Sequence, residues 1–218
     1  NKELAEKVNV MGARNLAQIS VKYSISLIHI STDFVFDGKH YLPYEETDMP
    51  NPLSVYGRTK LDGENEILRI TPNAIILRTS WLYSAFGANF VKTMQRLGSE
   101  RESLRVIFDQ VGTPTWAADL AQTILIVVEH SENQKDIGGV YHYSNEGCAS
   151  WYDFATEIME LSQISCLVIP IGTSQYPTPA SRPFYSVLNK EKIKHHFGLQ
   201  IPHWKVSLKK CIEELKNK

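Results

Sequence analysis

Apolar residues at the start of the chain recur every three or four positions. Ala5, Val8, Gly12, Leu16, Ile19 and Tyr23 fall along one face of a helix expected over residues 3 to 23. The period then changes. Leu27-Ile28-His29-Ile30 is a short apolar run of the kind buried on both faces of a parallel sheet. A polar stretch broken by prolines fills 37 to 52, and helix formers from Leu53 to Arg69 stop at Thr71-Pro72. Ala74 to Arg78 predicts a second strand, 87 to 97 a helix, and Val106-Ile107-Phe108 a further strand.

The same alternation runs on. Ala117, Ala121, Ile124, Leu125 and Val128 mark one helix face, and Val140 to Tyr143 reads as a strand after the Gly138-Gly139 turn. Ser150 with Asp153 is an acidic form of the capping box, opening a helix with Trp151, Phe154, Ile158 and Leu161 inward. Leu167 to Ile169 is a late strand, and the Pro-rich loop Pro177 to Pro183 precedes two closing helices near 189–197 and 205–216. Strands alternating with one-sided helices define an α/β fold with a mainly parallel sheet. The change of texture after about residue 145 suggests residues 1–144 as one domain and 145–218 as a smaller lobe, with 80–115 free to interleave with the lobe.

Composition narrows the function. Lys+Arg 23 against Asp+Glu 24 gives a net charge of -1, so no basic field holds nucleic acid. The longest apolar runs, such as Ile124 to Val128, fall far short of the roughly 20 residues that cross a bilayer. Cys148, Cys166 and Cys211 fit neither a zinc pattern nor a disulfide framework, which suits a reducing cytoplasm. His195-His196 has no third ligand at useful spacing.

Two stretches carry chemistry. Ser31-Thr32-Asp33 directly follows the first buried strand, and ligands in open α/β sheets bind beyond the carboxyl ends of strands. Tyr56 and Lys60 stand one helical turn apart, where an ammonium would lower the phenol's pKa and ready it for proton exchange. Alone, the pair says little, because this composition produces roughly 0.7 Tyr-x-x-x-Lys matches by chance.

Linked motifs say more. Ser31-Thr32-Asp33 and Tyr56-Gly57-Arg58-Thr59-Lys60 are joined, in order, by Arg78-Thr79-Ser80-Trp81-Leu82-Tyr83 and Gly87-Ala88-Asn89-Phe90-Val91. Asp109-Gln110-Val111-Gly112-Thr113-Pro114-Thr115 and Arg182-Pro183 with Ser186 complete the set. Together they resemble the extended short-chain dehydrogenase/reductases and, within them, the dTDP-4-dehydrorhamnose reductase family, from about Asn9 to the C-terminus.

The resemblance implies a Rossmann-like doubly wound sheet with a small C-terminal α/β substrate-binding lobe. It implies hydride transfer from NADPH, with NADH as the alternative, to the C4 ketone of a nucleotide sugar. Tyr56 would be the proton donor; Lys60 would lower its pKa and bond the nicotinamide ribose. Thr32 would bond the carbonyl oxygen and Asp33 would position the sugar. Trp81 would pack on the sugar face, and Gln110, Pro114 and Thr115 would contact the nucleotide sugar. Arg182 would meet the diphosphate, with Asn145 and Glu146 as weaker candidates. Some relatives use Mg²⁺ at a dimer contact, so a homodimer is a further expectation.

The family pattern also includes a strand and a Gly-x-x-Gly-x-x-Gly turn that this sequence lacks. On that reading the chain is the C-terminal portion of a partial Rossmann-like sheet, its first strand edge is open, and NAD(P)H binds it poorly. The residue that selects between the two cofactors belongs to the same absent pattern. Two other relatives are alternatives: the non-catalytic regulatory β subunit of methionine adenosyltransferase, and the nucleotide-sugar epimerases and dehydratases.

Overall fold

The structure is a computed structural model that describes residues 2–133, 137–176 and 181–217. Its first helical stretch is not one uniform helix: α1 (Lys2–Glu6) and α2 (Gly12–Tyr23) are joined by a π-helical turn, Lys7–Met11. The widening has a visible cause in α3 (Val55–Ile70), where Gly63 leaves no room for a Cβ against the Asn9 carbonyl. Close by, the Asn9 amide donates to Thr59 Oγ1 at 2.9 Å. The backbone swells where it is pulled against the neighbouring helix.

The central sheet is parallel, in the order β1 (Ile28–Thr32), β2 (Ile75–Thr79), β7 (Gly139–His142). Among the described residues β1 pairs only with β2. Every residue of β2 is buried, as a central parallel strand requires. Its side chains alternate between two layers. Ile76 packs with Ala13, Ala17 and Ile67 of α2 and α3. Ile75 and Leu77 pack with Leu120 and Val127 of α5 (Ala117–Asn133) and with Ile193 and Phe197 of α7 (Glu191–Phe197). Helices on both faces make the sheet doubly wound.

On the α3 side, β2 also carries Arg78, whose guanidinium holds the buried Glu64 carboxylate through Nη2 at 2.7 Å and Nε at 3.1 Å. The pair pins α3 to the sheet, and breaking one partner of such a buried pair costs about 3–5 kcal/mol.

A second body of structure has its own core. β4 (Ser103–Ile107) and β9 (Leu167–Ile171) pair in parallel beneath α4 (Phe90–Glu100), α6 (Trp151–Ser162) and α8 (Trp204–Lys216). The expected strand at 106–108 thus begins three residues earlier. Ser150 and Asp153 form the expected capping box at the start of α6. Two-residue strands stitch the bodies together: β3 (Leu82–Tyr83) with β6 (Thr115–Trp116), and β5 (Val111–Gly112) with β8 (Ala149–Ser150). Among the described residues no helix is long and apolar enough to cross a membrane. Residues 177–180 of the Pro-rich loop lie outside the described residues.

Candidate active site

The chemistry gathers at the carboxyl ends of β1 and β2. Thr32 closes β1 and caps the 3-10 turn Asp33–Val35: its Oγ1 accepts from the Phe34 amide at 3.2 Å and donates to Asp33 Oδ1 at 3.1 Å. Helix α3 starts beside it, with Ser54 Oγ accepting from the Gly57 amide at 3.1 Å. Gly57 rests directly on the Phe34 carbonyl, where any Cβ would collide with backbone. That close approach brings Tyr56 to the turn, its ring edge-on to Phe34 with centroids 6.0 Å apart. The phenol lies near enough to the Thr32 hydroxyl for that hydroxyl to pull its pKa down.

Electrostatically the cluster is dry on one side and wet on the other. Burial pushes the Tyr56 phenol above its ordinary value; the nearby Thr32 hydroxyl opposes the shift and the Asp33 charge adds to it. The ring is still 48% exposed, so ligand and solvent reach it. Asp33 is buried, which pushes its carboxyl up to about 6 against the pull of the Ser186 and Thr32 hydroxyls and the local amides. No well-formed hydrogen bond reaches Asp33 Oδ2, and the buried hydroxyls of Ser31 and Thr79 are also unpaired. Unpaired polar atoms concentrated at one sheet end are the signature of a site that a polar ligand completes.

Lys60 corrects the expectation for it. Its Nζ does not turn to the phenol: it donates to the Ile30 carbonyl at 2.6 Å and approaches His29 Nε2 at 3.2 Å. Burial lowers the ammonium's pKa, partly offset by Glu64 one turn away. Burial first, and Lys60 second, hold His29 down to about 4, so its ring is a neutral acceptor. An ammonium has three donors, and two are spent here, leaving one for a ligand hydroxyl.

The remaining motif residues divide. Trp81 follows β2 with φ of 45°, a left-handed backbone that costs a bulky residue on the order of 1–3 kcal/mol. Its position is clamped by Ser80 Oγ donating to the Thr113 carbonyl at 2.7 Å and by the Thr115 amide donating to the Trp81 carbonyl at 3.2 Å. The indole lies over Gly112, where a Cβ would stand 2.7 Å from the ring and 2.8 Å from Ser186 Oγ. Ser186, which also borders Gly112, in turn interacts with Asp33. Pro114 and Thr115 are buried in the backbone that supports Trp81. Gln110 donates to Thr173 Oγ1 at 3.1 Å and leaves its buried Oε1 unpaired.

Asn145 and Glu146 are brought elsewhere. Asn145 is a buried joint, donating to Asp119 at 2.7 Å and accepting from the Trp116 amide at 2.8 Å. Glu146 pairs with Lys194 at 3.1 Å and Lys190 at 3.6 Å. Among the described residues no group of three or more His, Cys, Asp or Glu is placed to hold a metal, so no side chain is assigned to Mg²⁺.

Arg182 opens on a cavity of about 640 Å³, with Arg105, Tyr176, Phe90 and Trp151 among its walls. That volume suits a nucleotide-sized ligand. Except for Arg182, none of these residues stood out as a ligand in the sequence. Arg105 alone left a signal: on β4 it is an exposed charge between the buried Leu104 and Val106. Trp151 reads from periodicity as a core residue; it is half-buried instead, stacked on Trp81 at 3.6 Å with 7° between the planes.

A parallel α/β sheet with a threonine and a tyrosine together at its carboxyl end, and a lysine one helical turn on, is the arrangement of a reductase of the short-chain type. The comparisons give the family. The RmlD substrate binding domain matches residues 1–217. A dTDP-4-dehydrorhamnose reductase of Aggregatibacter actinomycetemcomitans is 42% identical over 94% of this chain and 72% of its own. The crystal structure of a dTDP-4-dehydrorhamnose reductase from Clostridium acetobutylicum superposes with a TM-score of 0.93 at 42% identity, covering 99% of this chain and 75% of that one. A Bacillus anthracis dTDP-4-dehydrorhamnose reductase solved in complex with NADP gives 0.92 at 38% identity, over 98% and 74%. The chain belongs to the dTDP-4-dehydrorhamnose reductase family.

Proposed function

We propose that this protein reduces the C4 ketone of dTDP-4-dehydro-L-rhamnose to dTDP-L-rhamnose with NADPH, in the cytoplasm. The observation that carries the reading is the Tyr56–Thr32 contact at the end of β1, built on the Gly57–Phe34 approach. When bound, the reduced nicotinamide supplies a hydride to the ketone carbon. The ketone oxygen then becomes an alkoxide and needs a proton.

Tyr56 supplies it. A phenol with a raised pKa is fully protonated at neutral pH, so the acid is loaded before the step, and its exposed edge lets the phenolate recover a proton from water. Thr32 aims a second hydroxyl at the same oxygen, a preorganised dipole for the charge that develops there. Lys60 holds its ammonium on the Ile30 carbonyl and offers its remaining donor to the nicotinamide ribose. Trp81 gives the sugar an apolar wall, and the cavity around Arg182 and Arg105 takes the nucleotide, the arginine forks matching a diphosphate.

The test is NADPH oxidation on dTDP-4-dehydro-L-rhamnose by this chain joined to the strand and Gly-x-x-Gly-x-x-Gly turn of the family pattern, with the product identified as dTDP-L-rhamnose. Turnover with that product is the expected result. Stabilisation by dTDP-L-rhamnose without any turnover would instead support a non-catalytic binder, and a C4-epimerised or dehydrated product would support the epimerase or dehydratase alternative.

A further inference from the structure

We propose that Trp151 is a positioning residue for the reduction: stacked on Trp81, it fixes the sugar-facing indole and ties it to the neighbouring cavity. The proposal deepens the reading above, in which the cavity takes the nucleotide and Trp81 meets the sugar.

The geometry is specific. Trp151 is the first residue of α6, whose start is locked by Ser150 and Asp153: the Ser150 amide and hydroxyl both donate to Asp153 Oδ2, and the Asp153 amide donates back to Ser150 Oγ. The indole is therefore presented from a rigid helix end. On one face it lies nearly parallel to Trp81. Phe90, the first residue of α4, meets it at 4.7 Å and 53°. Asn89 caps α4 through the Lys92 amide, so this ring too is held by a helix start. Both Phe90 and Trp151 wall the cavity that contains Arg182.

Trp81 needs that support. Its backbone is left-handed, a conformation that persists only when surroundings over-determine it. Hydrogen bonds from Ser80 and Thr115 fix the main chain, but they do not fix the ring. The ring is held by Trp151 stacked on one face and by Gly112 close against its Nε1 and Cε2 atoms. Neither indole is fully buried: the pair packs on the lobe's core and keeps part of its surface toward the cavity. A ligand that presses on Trp151 from the cavity therefore bears on Trp81, whose indole borders Gly112 on the side where Ser186 also lies.

The test uses the same joined chain and four readouts: kcat, KM for NADPH, thermal stabilisation by dTDP, and the exciton-coupled circular dichroism of the indole pair. In the wild type, dTDP should stabilise the protein and alter the exciton signal. Trp151→Leu should lower kcat by about 10- to 100-fold, the range expected for a small misplacement of substrate. It should leave KM for NADPH within about threefold of wild type. Trp151→Phe, which keeps a flat aromatic partner, should recover most of the lost kcat.

Unchanged kcat in Trp151→Leu overturns the inference and leaves the function standing. Loss of dTDP stabilisation in Trp151→Leu with kcat unchanged likewise overturns it, because the indole then serves the nucleotide alone. No stabilisation of the wild type by dTDP instead sinks the cavity assignment on which the inference rests. Should Trp151→Leu fail to fold, the cycle of Trp151→Phe with Trp81→Phe decides. Losses in kcat smaller in combination than their product support coupling through Trp81, and independent losses overturn it.

Discussion

The end of the sheet and the wall of the lobe are made of different materials. At the sheet end stand an acid, a phenol, an ammonium and several hydroxyls, with Asp33 and Thr32 buried and Asp33 Oδ2, Ser31 and Thr79 lacking partners. Around the cavity stand three arginines and three aromatic rings, with Arg101, Arg105 and Arg182 open to solvent. The first region carries desolvation and unpaired dipoles, which act on charge that appears only during reaction. The second carries surface area and fixed charge, which act on ligand before reaction. Substitutions in the two regions should therefore separate in kinetics, the first in kcat and the second in KM, with Trp151 the exception because its stack on Trp81 carries the cavity wall toward the sheet end.

The largest effect belongs to the sheet end. Tyr56→Phe removes the proton donor and keeps the ring against Phe34, so the fold is retained. Turnover should fall by about 10² to 10⁴ with KM nearly unchanged, as for loss of a general acid. A steady-state assay showing an intact kcat would move the acid elsewhere and erase the contrast between the regions.

The next effect sharpens the contrast through stability. Burial raises the folded-state pKa of Asp33 to about 6, above the ordinary 3.8. The protonated carboxyl is thus favoured by folding, a contribution fully present below about pH 4 and lost as pH rises through 6. Above that, the ionised group weighs against the fold by about 3 kcal/mol, taking 1.36 kcal/mol per unit. Asp33→Asn stays neutral throughout. Its Tm should exceed that of the wild type at pH 8, with the gap closing toward pH 4, while kcat falls. A gain of stability with a loss of function is the mark of a group kept for chemistry. Equal Tm differences at both pH values would mean that the carboxyl carries no such penalty.

Much of this was legible in the sequence, for reasons that differ by element. The β1 and β2 runs show because strands buried on both faces are continuously apolar, and α6 shows because Ser150 and Asp153 announce its start. Thr32, Asp33 and Tyr56 came from local motifs, and the fold brings them together. Lys60 shows the limit. Helical spacing puts it one turn from Tyr56, but the Ile30 carbonyl and His29 on the neighbouring strand capture its Nζ, and no local pattern encodes that. The π turn, the left-handed Trp81 and the two-residue strands arise from contacts between distant segments, which periodicity does not see. Arg105, Tyr176 and Phe90 were missed for the same reason: each is a lone residue on a separate element, and only the folded cavity makes them one set.

The smallest predicted effect tests the lobe. Arg182 is exposed at the cavity wall, just before the buried Pro183, whose ring and backbone crowd Gly38. Its backbone is therefore held while its side chain is free to meet a ligand. A guanidinium paired to a diphosphate makes charge-assisted hydrogen bonds worth about 1.5–3 kcal/mol. Arg182→Ala should then raise KM for the nucleotide sugar roughly 10- to 100-fold, leaving kcat and Tm nearly unchanged. Arg182→Lys keeps the charge without the planar fork, and its KM should fall between the two. Added salt should weaken wild-type binding more than that of Arg182→Ala, because the variant has lost a screened charge. A fall in kcat at constant KM would place Arg182 with Tyr56 among the groups that act on the transition state, and the division between the two regions would fail at the residue chosen to represent the second.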